Sequence, residues 1–273
     1  MLTTDVGTLV TDPGGPAELQ LESWIQKSYL HGAAEGMLKV MEFLANQGKR
    51  LSVEIDGRTY MRIPIKTHVV VADDDIVDVV GRYAEPLLCT GDMLVVSEKI
   101  VAITQHRAYP VDQIEPSRLA RFLSRFVYKS PYGIGLASPC TMELAIREAG
   151  APRIVAAACV AGVGKLFGAK GVFYRICGAN VAAIDGPCDY TIPPYDRYAI
   201  LAPSKPKDVA QSLSDATGMP VAIVDANDLG VSVLGLSAGC PEPELIKKIL
   251  ADNPLGQSCE QTPIGIVRQA KDI

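Results

Sequence analysis

Three short segments hold oxygen-bearing side chains that could act together. In VAIVDANDLG the apolar run 221–224 delivers Asp225, Asn227 and Asp228 at one end; in NVAAIDG a second apolar run ends at Asp185; in NPLGQSCEQTP, Gln257 and Glu260 follow Gly256. Open α/β sheets bind ligands beyond the ends of their strands, so carboxylates and an amide just past apolar runs point to a metal or phosphate site. If Asp185 and Asp225 end neighbouring strands, the pair suits magnesium or manganese carried with a nucleotide, because both ions prefer oxygen donors. Asp, Asn and Gly are equally what tight turns require, so a capped turn stands beside the metal reading.

The elements that must position these residues follow from periodicity. Apolar residues at helical spacing (Leu30, Ala33, Ala34, Met37, Met41, Leu44) predict an amphipathic helix over 21–45 that stops at Gly48. Alternation at Leu51, Val53 and Ile55 and again at Thr59, Met61 and Ile63, with Asp56-Gly57 between, predicts a hairpin. IPIKTHVVVADDDIVDVVGRYAEPLL reads as a strand into a helix, and the acidic run 73–75 caps its N-terminus in preference to binding a metal, the other reading of such a charge cluster. MLVVSEKIVAITQHR reads as a strand with Lys99 and Arg107 in its far part, and helices are expected over 117–125, from about Thr141, over 207–216 and over 242–250. YRICGANVAAIDG reads as strand, turn at Gly178, strand.

Glycines in the middle of the chain raise a phosphate reading. AGVGKLFGAKG, residues 161–171, holds Lys165 and Lys170 between glycines, but Leu166 follows Lys165 where a P-loop needs Ser or Thr. A basic loop covering phosphates and a set of plain tight turns both remain open for 162–171.

Composition sets the outer limits. With 273 residues, 48% apolar and 21% charged, the chain has the make-up of a soluble globular protein. Its net charge of −5 gives no basic footprint for nucleic acid. The longest apolar run, 154–163, is far short of the roughly 20 residues of a membrane-spanning helix, and no membrane partner is expected. The first residues lack the basic and apolar regions of a signal peptide, and seven scattered cysteines without a C-x-x-C pair indicate neither disulfide framework nor zinc site, so a cytoplasmic protein is expected.

Across residues 62–273, the ordered set LVVSEKIVAITQHR, GANVAAIDG, VAIVDANDLG and NPLGQSCEQTPIGIVR resembles the coenzyme F420-0:L-glutamate ligase family. That resemblance implies a mixed α/β fold in an intertwined homodimer, with residues 1–61 as an N-terminal helix and hairpin appendage. It also implies a GTP- and Mg2+- or Mn2+-dependent ligase that joins an amino acid, L-glutamate in the family, to a small-molecule carboxylate through an acyl phosphate. Carried over by position, Asp185, Asp225 and Gln257 are the expected metal ligands, with Ala226 where the family commonly has Thr. Lys99, Arg107, Lys165, Gly178, Asn180 and Asn227 are the expected nucleotide- or substrate-binding residues, and no residue is required as a covalent nucleophile.

The chain departs from the family where members read S-K-A-E-G-R. Here Ala102, Ile103, Thr104, Gln105, His106 and Arg107 stand instead, removing a Lys and a Glu. The metal half of the site is therefore expected to persist and the substrate half to differ. Two other classes stay open: a metal-dependent phosphohydrolase on the same scaffold, and a nucleotide- and metal-binding protein with altered catalysis.

Overall fold

The computed structural model describes residues 43–127, 135–169, 171–227 and 230–270. Strand β1 (Ser52–Ile55) turns through Asp56 and Gly57, both at positive φ (52° and 76°), into β2 (Arg58–Ile65). That pair of left-handed residues matches the twist of a two-residue hairpin, which is why Asp-Gly reads so clearly. β2 pairs antiparallel with β8 (Ile264–Gln269), β8 antiparallel with β3 (Met93–Ser97), and β3 parallel with β6 (Val221–Asn227). β7 (Gly230–Leu236) closes the order β1-β2-β8-β3-β6-β7. A second, two-stranded sheet joins β4 (Ala108–Pro110) to β5 (Tyr198–Ile200).

The central strands are the driest part of the molecule. Leu94, Val95 and Val96 of β3 and residues 221–224 of β6 have no solvent exposure. One face of this sheet packs Met93, Val95, Ala222, Val224 and Val267 against Ile246 and Ile249 of α9 (Pro243–Ile249). On β6 and β7 lies α8 (Pro206–Thr217), stopped by Gly218 at φ 70°. A separate apolar cluster joins Ala120 of α3 (Arg118–Leu123), Met142 and Leu144 of α4 (Pro139–Ala149), Ile154 of α5 (Ala151–Leu166) and Cys177 of α6 (Val172–Cys177). Among the described residues no helix is long and apolar enough to cross a membrane.

Several expectations are met and several are corrected. Asp75 caps α1 (Ile76–Tyr83), accepting from the Val77 and Asp78 amides at 2.7 and 3.2 Å. The predicted strand over 93–107 instead stops at Ser97, whose hydroxyl accepts from the Lys99 amide and starts α2 (Glu98–Thr104). All of Ile100, Val101, Ala102 and Ile103 are buried, so nothing in that apolar run distinguishes strand from helix. Residues 172–182 are also helical: Gly178, at φ 96°, ends α6 and opens α7 (Ala179–Ala182). The first half of the Gly-rich stretch is helix rather than loop, since α5 runs through Gly162, Gly164 and Lys165, and Lys170 lies outside the described residues.

The boundary expected between residues 61 and 62 falls inside β2, and the hairpin is an edge of the main sheet, tied in by the pairing of β2 with β8. The expected helix over 21–45 lies almost wholly outside the described residues, as does Asp228.

Gly235 shows how tightly α8 seats on the sheet. A Cβ there would stand 2.4 Å from the Pro206 carbonyl carbon and oxygen and 2.6 Å from the Lys207 nitrogen, all backbone. We expect Gly235→Ala to cost about 1–3 kcal/mol of stability through overpacking, read as a lowered urea midpoint. An unchanged midpoint would show that the helix can shift freely.

Candidate active site

Parallel pairing of β3 with β6, in the register Ser97 to Val224, brings the next residues of both strands out at the same sheet end. On one side these are Glu98 and Lys99, opening α2; on the other, Asp225 and Asn227. Asp185 arrives from elsewhere, held on the small sheet by reciprocal backbone hydrogen bonds with Ile200 at 2.9 Å. Its carboxylate meets Lys99 Nζ at 3.0 Å. Asn227 Nδ2 donates to Asp225 Oδ1 at 3.3 Å.

Gln257 is brought by the loop before β8. The buried Asn253, at φ 51°, donates from Nδ2 to the Gly256 carbonyl at 2.8 Å and to Gln257 Oε1 at 3.2 Å. A cavity of about 800 Å3 then gathers Lys99, Asp185, Asp225, Asn227 and Gln257 in one wall system, with Glu98 and Glu260 beside them.

Four other candidates are not brought there. Arg107 donates to Glu148 Oε1 at 2.9 Å, and Asn180 donates to the same oxygen at 3.1 Å, so the segment before β4 and α7 are both tied to α4. Gly178 is the break between α6 and α7, and Lys165 sits in the last turn of α5. Among the described residues Lys99 is the one Lys or Arg lining the cavity.

One residue that matters was not singled out from the sequence, and another was read only as part of a capping run. Glu98, 5% exposed, has an Oε2 atom with no hydrogen-bond partner. Its pKa is pushed up to about 8 by burial first and then by the Asp225 and Asp185 charges, against a weaker opposing pull from Lys99. A Ser followed by an acidic residue ahead of an apolar run is a helix-start signal that would have exposed it. Asp74 is the other: it accepts from the Val71 amide at 2.7 Å and meets His68 Nε2 at 2.8 Å, while Tyr83 OH meets His68 Nδ1 at 3.0 Å. His68 lines the cavity, with both ring nitrogens already engaged.

Burial, then repulsion from Asp185, also raises the Asp225 pKa, against the opposing effect of Lys99 and Asn227. Desolvation disfavours the Lys99 charge, but Asp185 outweighs it and the ammonium pKa is raised. Asp185 and Asp225, with the single ammonium of Lys99 paired to the first, leave an excess of negative charge that a divalent cation fits. The donors are all oxygen, as magnesium or manganese requires, and two carboxylates with an amide leave positions for phosphate and water oxygens. Among the described residues no three His, Cys, Asp or Glu side chains converge on one ion position, so Glu98 does not complete a site with both aspartates.

The raised Glu98 pKa has a signed consequence. The unfolded chain releases this proton near 4.5 and the folded chain near 8, so the group contributes fully below the first value and stability falls as pH rises through the second. In metal-free buffer, Glu98→Gln is therefore expected to match the parent below about pH 4.5 and to exceed it by on the order of a few kcal/mol above about pH 8. Parallel stability–pH curves from urea titrations would contradict this.

The sequence profile of the F420-0:Gamma-glutamyl ligase family matches residues 64–224, from within β2 to one residue short of Asp225. No curated protein matches the chain. The matched stretch takes in Glu98, Lys99 and Asp185, and the same cavity receives Asp225 and Gln257 from beyond it. With more than half of its length matched and its carboxylates gathered at one sheet end, the chain belongs to the F420-0:gamma-glutamyl ligase family.

Proposed function

We propose that this ligase joins the amine of an amino acid, L-glutamate in the first instance, to a small-molecule carboxylate, using GTP and Mg2+ or Mn2+. The observation that carries the reading is the meeting of Asp185, Asp225 and Gln257 with Lys99 in one cavity whose charged wall is mainly acidic. Polyphosphate would be repelled by such a wall on its own. A divalent ion held by Asp185, Asp225 and Gln257 would supply the missing positive charge and polarise phosphate oxygens.

The residues divide the remaining work. A carboxylate is a poor electrophile, so the γ-phosphate is transferred to it first, and the amine then displaces phosphate from the acyl phosphate. Lys99, beside Asp185, offers an ammonium to phosphate oxygens during transfer. Asn227 orients the Asp225 carboxylate, and Asn253 orients Gln257.

Ile103 favours an altered carboxylate partner. It lines the cavity and is buried where the resemblance places a Lys, so an anionic group has no counter-charge at that point. The expected carboxylate is therefore less anionic or more apolar than F420-0, and activity on F420-0 with glutamate is expected to be weak. We also propose a cytoplasmic homodimer. Val155, Val160, Val163 and Phe167 leave an apolar stripe exposed along and just beyond α5, which a second copy would cover. Light scattering at micromolar concentration is expected to give twice the chain mass; a monomer contradicts the dimer.

The catalytic reading is tested by following nucleotide hydrolysis and product mass over a panel of carboxylate and amine pairs. Hydrolysis that requires both partners, with a product heavier by the added amino acid less water, is the expected result. Turnover indifferent to amine would favour a metal-dependent phosphohydrolase, and nucleotide binding without turnover a catalytically altered binding protein.

A further inference from the structure

Part of the cavity wall takes no share in the metal and phosphate chemistry. Lys99 stands at the acidic end of α2, and Ile103 follows four residues later on the same helix face, about 6 Å farther along the axis. Ile100 and Ile103 line the cavity from α2, Val69 and Val70 from the segment after β2, Ile192 from the segment before β5 and Ile200 from β5 itself. Two contacts join these pieces into one wall. α2 packs against β5, and Tyr195 OH donates to the Val70 carbonyl at 2.7 Å, tying the stretch 192–200 to the stretch 67–70.

The polar groups along this wall are engaged within the protein. Thr67 donates from its amide to the Gln261 carbonyl at 3.1 Å and from its hydroxyl to the His68 carbonyl at 2.7 Å, while its own carbonyl accepts from Gln261 Nε2 at 2.7 Å. His68 is held at both ring nitrogens, by Tyr83 and Asp74. Burial pushes the Tyr195 phenol up to about 12, so its hydroxyl keeps the proton that it gives to Val70. Among the described residues, the Asp, Glu, Lys and Arg side chains that line the cavity are Glu98, Lys99, Asp185, Asp225 and Glu260, none of them from the stretches 67–70 or 192–200. An anionic group against the aliphatic wall would lose its water and gain no partner, whereas an apolar group there gains by leaving water.

We propose that this wall is the subsite for the body of the carboxylate substrate, and that the substrate is a monocarboxylic acid with an aromatic or branched aliphatic body and no second charge within reach of Ile103. The proposal rests on the ligase reading for the placing of the reacting carboxyl beside Lys99, and it deepens that reading by naming the class of acid. With the carboxyl at the acidic end, the body lies along α2, where one helical turn separates the ammonium from the first aliphatic side chain on the same face.

The test is calorimetric binding of hydrocinnamate and of its para-carboxy derivative, the same body with a second charge, to the full chain with magnesium and without nucleotide, at about pH 7.5, where both acids are fully ionised. The parent is expected to prefer hydrocinnamate by at least about tenfold, and Ile103→Leu to keep the preference. Ile103→Lys and Val69→Lys each supply a cation for the second carboxylate and are expected to lose most of it. Val69 is only half-buried, so its variant decides the question should Ile103→Lys not fold. Equal binding of the two acids by the parent, a preference for the diacid, no binding of hydrocinnamate, or a preference undiminished in folded Val69→Lys overturns the subsite. The absence of any acid-dependent GTP turnover would defeat the ligase reading and leave the binding preference standing; turnover confined to polyanionic acids would keep the ligase reading and defeat the subsite.

Discussion

Three acidic side chains and a single ammonium line one cavity beside the ends of two parallel strands, and the described part of the molecule is arranged around that imbalance. Hydrogen-bonding β3 to β6 in register forces Glu98 and Asp225 out together, and the β5 bridge delivers Asp185 to the same place. Lys99 neutralises one of them through its contact with Asp185. What remains is negative potential in a partly desolvated cavity, where each charge is felt more strongly than in water. Burial and mutual repulsion raise the pKa of both Glu98 and Asp225, the behaviour of groups placed for a ligand rather than for stability.

Holding like charges together requires a stiff support, and the sheet supplies it with paired charges of its own. Arg268 of β8 forks onto the fully buried Asp92 at 2.8 and 2.7 Å, and Asp92 also accepts from the Cys89 amide at 2.7 Å. Arg62 of β2 pairs with Asp252 and donates to the Ile249 carbonyl, pinning the end of α9. Each of these pairs links its strand to another part of the chain, so together they fix β8 and β2 relative to what packs on them. The loop that carries Asn253 and Gln257 runs directly into β8, so its position at the cavity inherits that rigidity.

Much of the frame was legible from pattern. Asp56-Gly57 announces a hairpin because both residues tolerate positive φ, Asp75 announces a helix start, and the apolar run 221–224 announces a buried strand. The family resemblance carried Asp185, Asp225 and Gln257 to one cavity even though 40 residues separate the first two in sequence and 32 the last two. What failed did so where periodicity is silent. Residues 98–104 and 172–182 are apolar on several sides, so strand and helix look alike until a cap such as Ser97 or a break such as Gly178 is recognised. Reading 93–107 as a single strand hid Glu98 at the start of a helix. Arg107 and Asn180 were misjudged for a different reason: their common partner, Glu148, is 41 residues from one and 32 from the other, a contact no local pattern reveals.

The central claim is that Asp185 and Asp225 share a divalent cation on which nucleotide binding depends. Replacing either by Asn removes a formal charge at nearly constant shape, and a turn residue would tolerate that change. The direct measurement is calorimetry of GTP binding with and without magnesium on the parent, Asp185→Asn and Asp225→Asn, each confirmed folded. The account predicts that magnesium strengthens GTP binding in the parent and that both variants lose most of that gain; an undiminished magnesium-dependent affinity in both would contradict it.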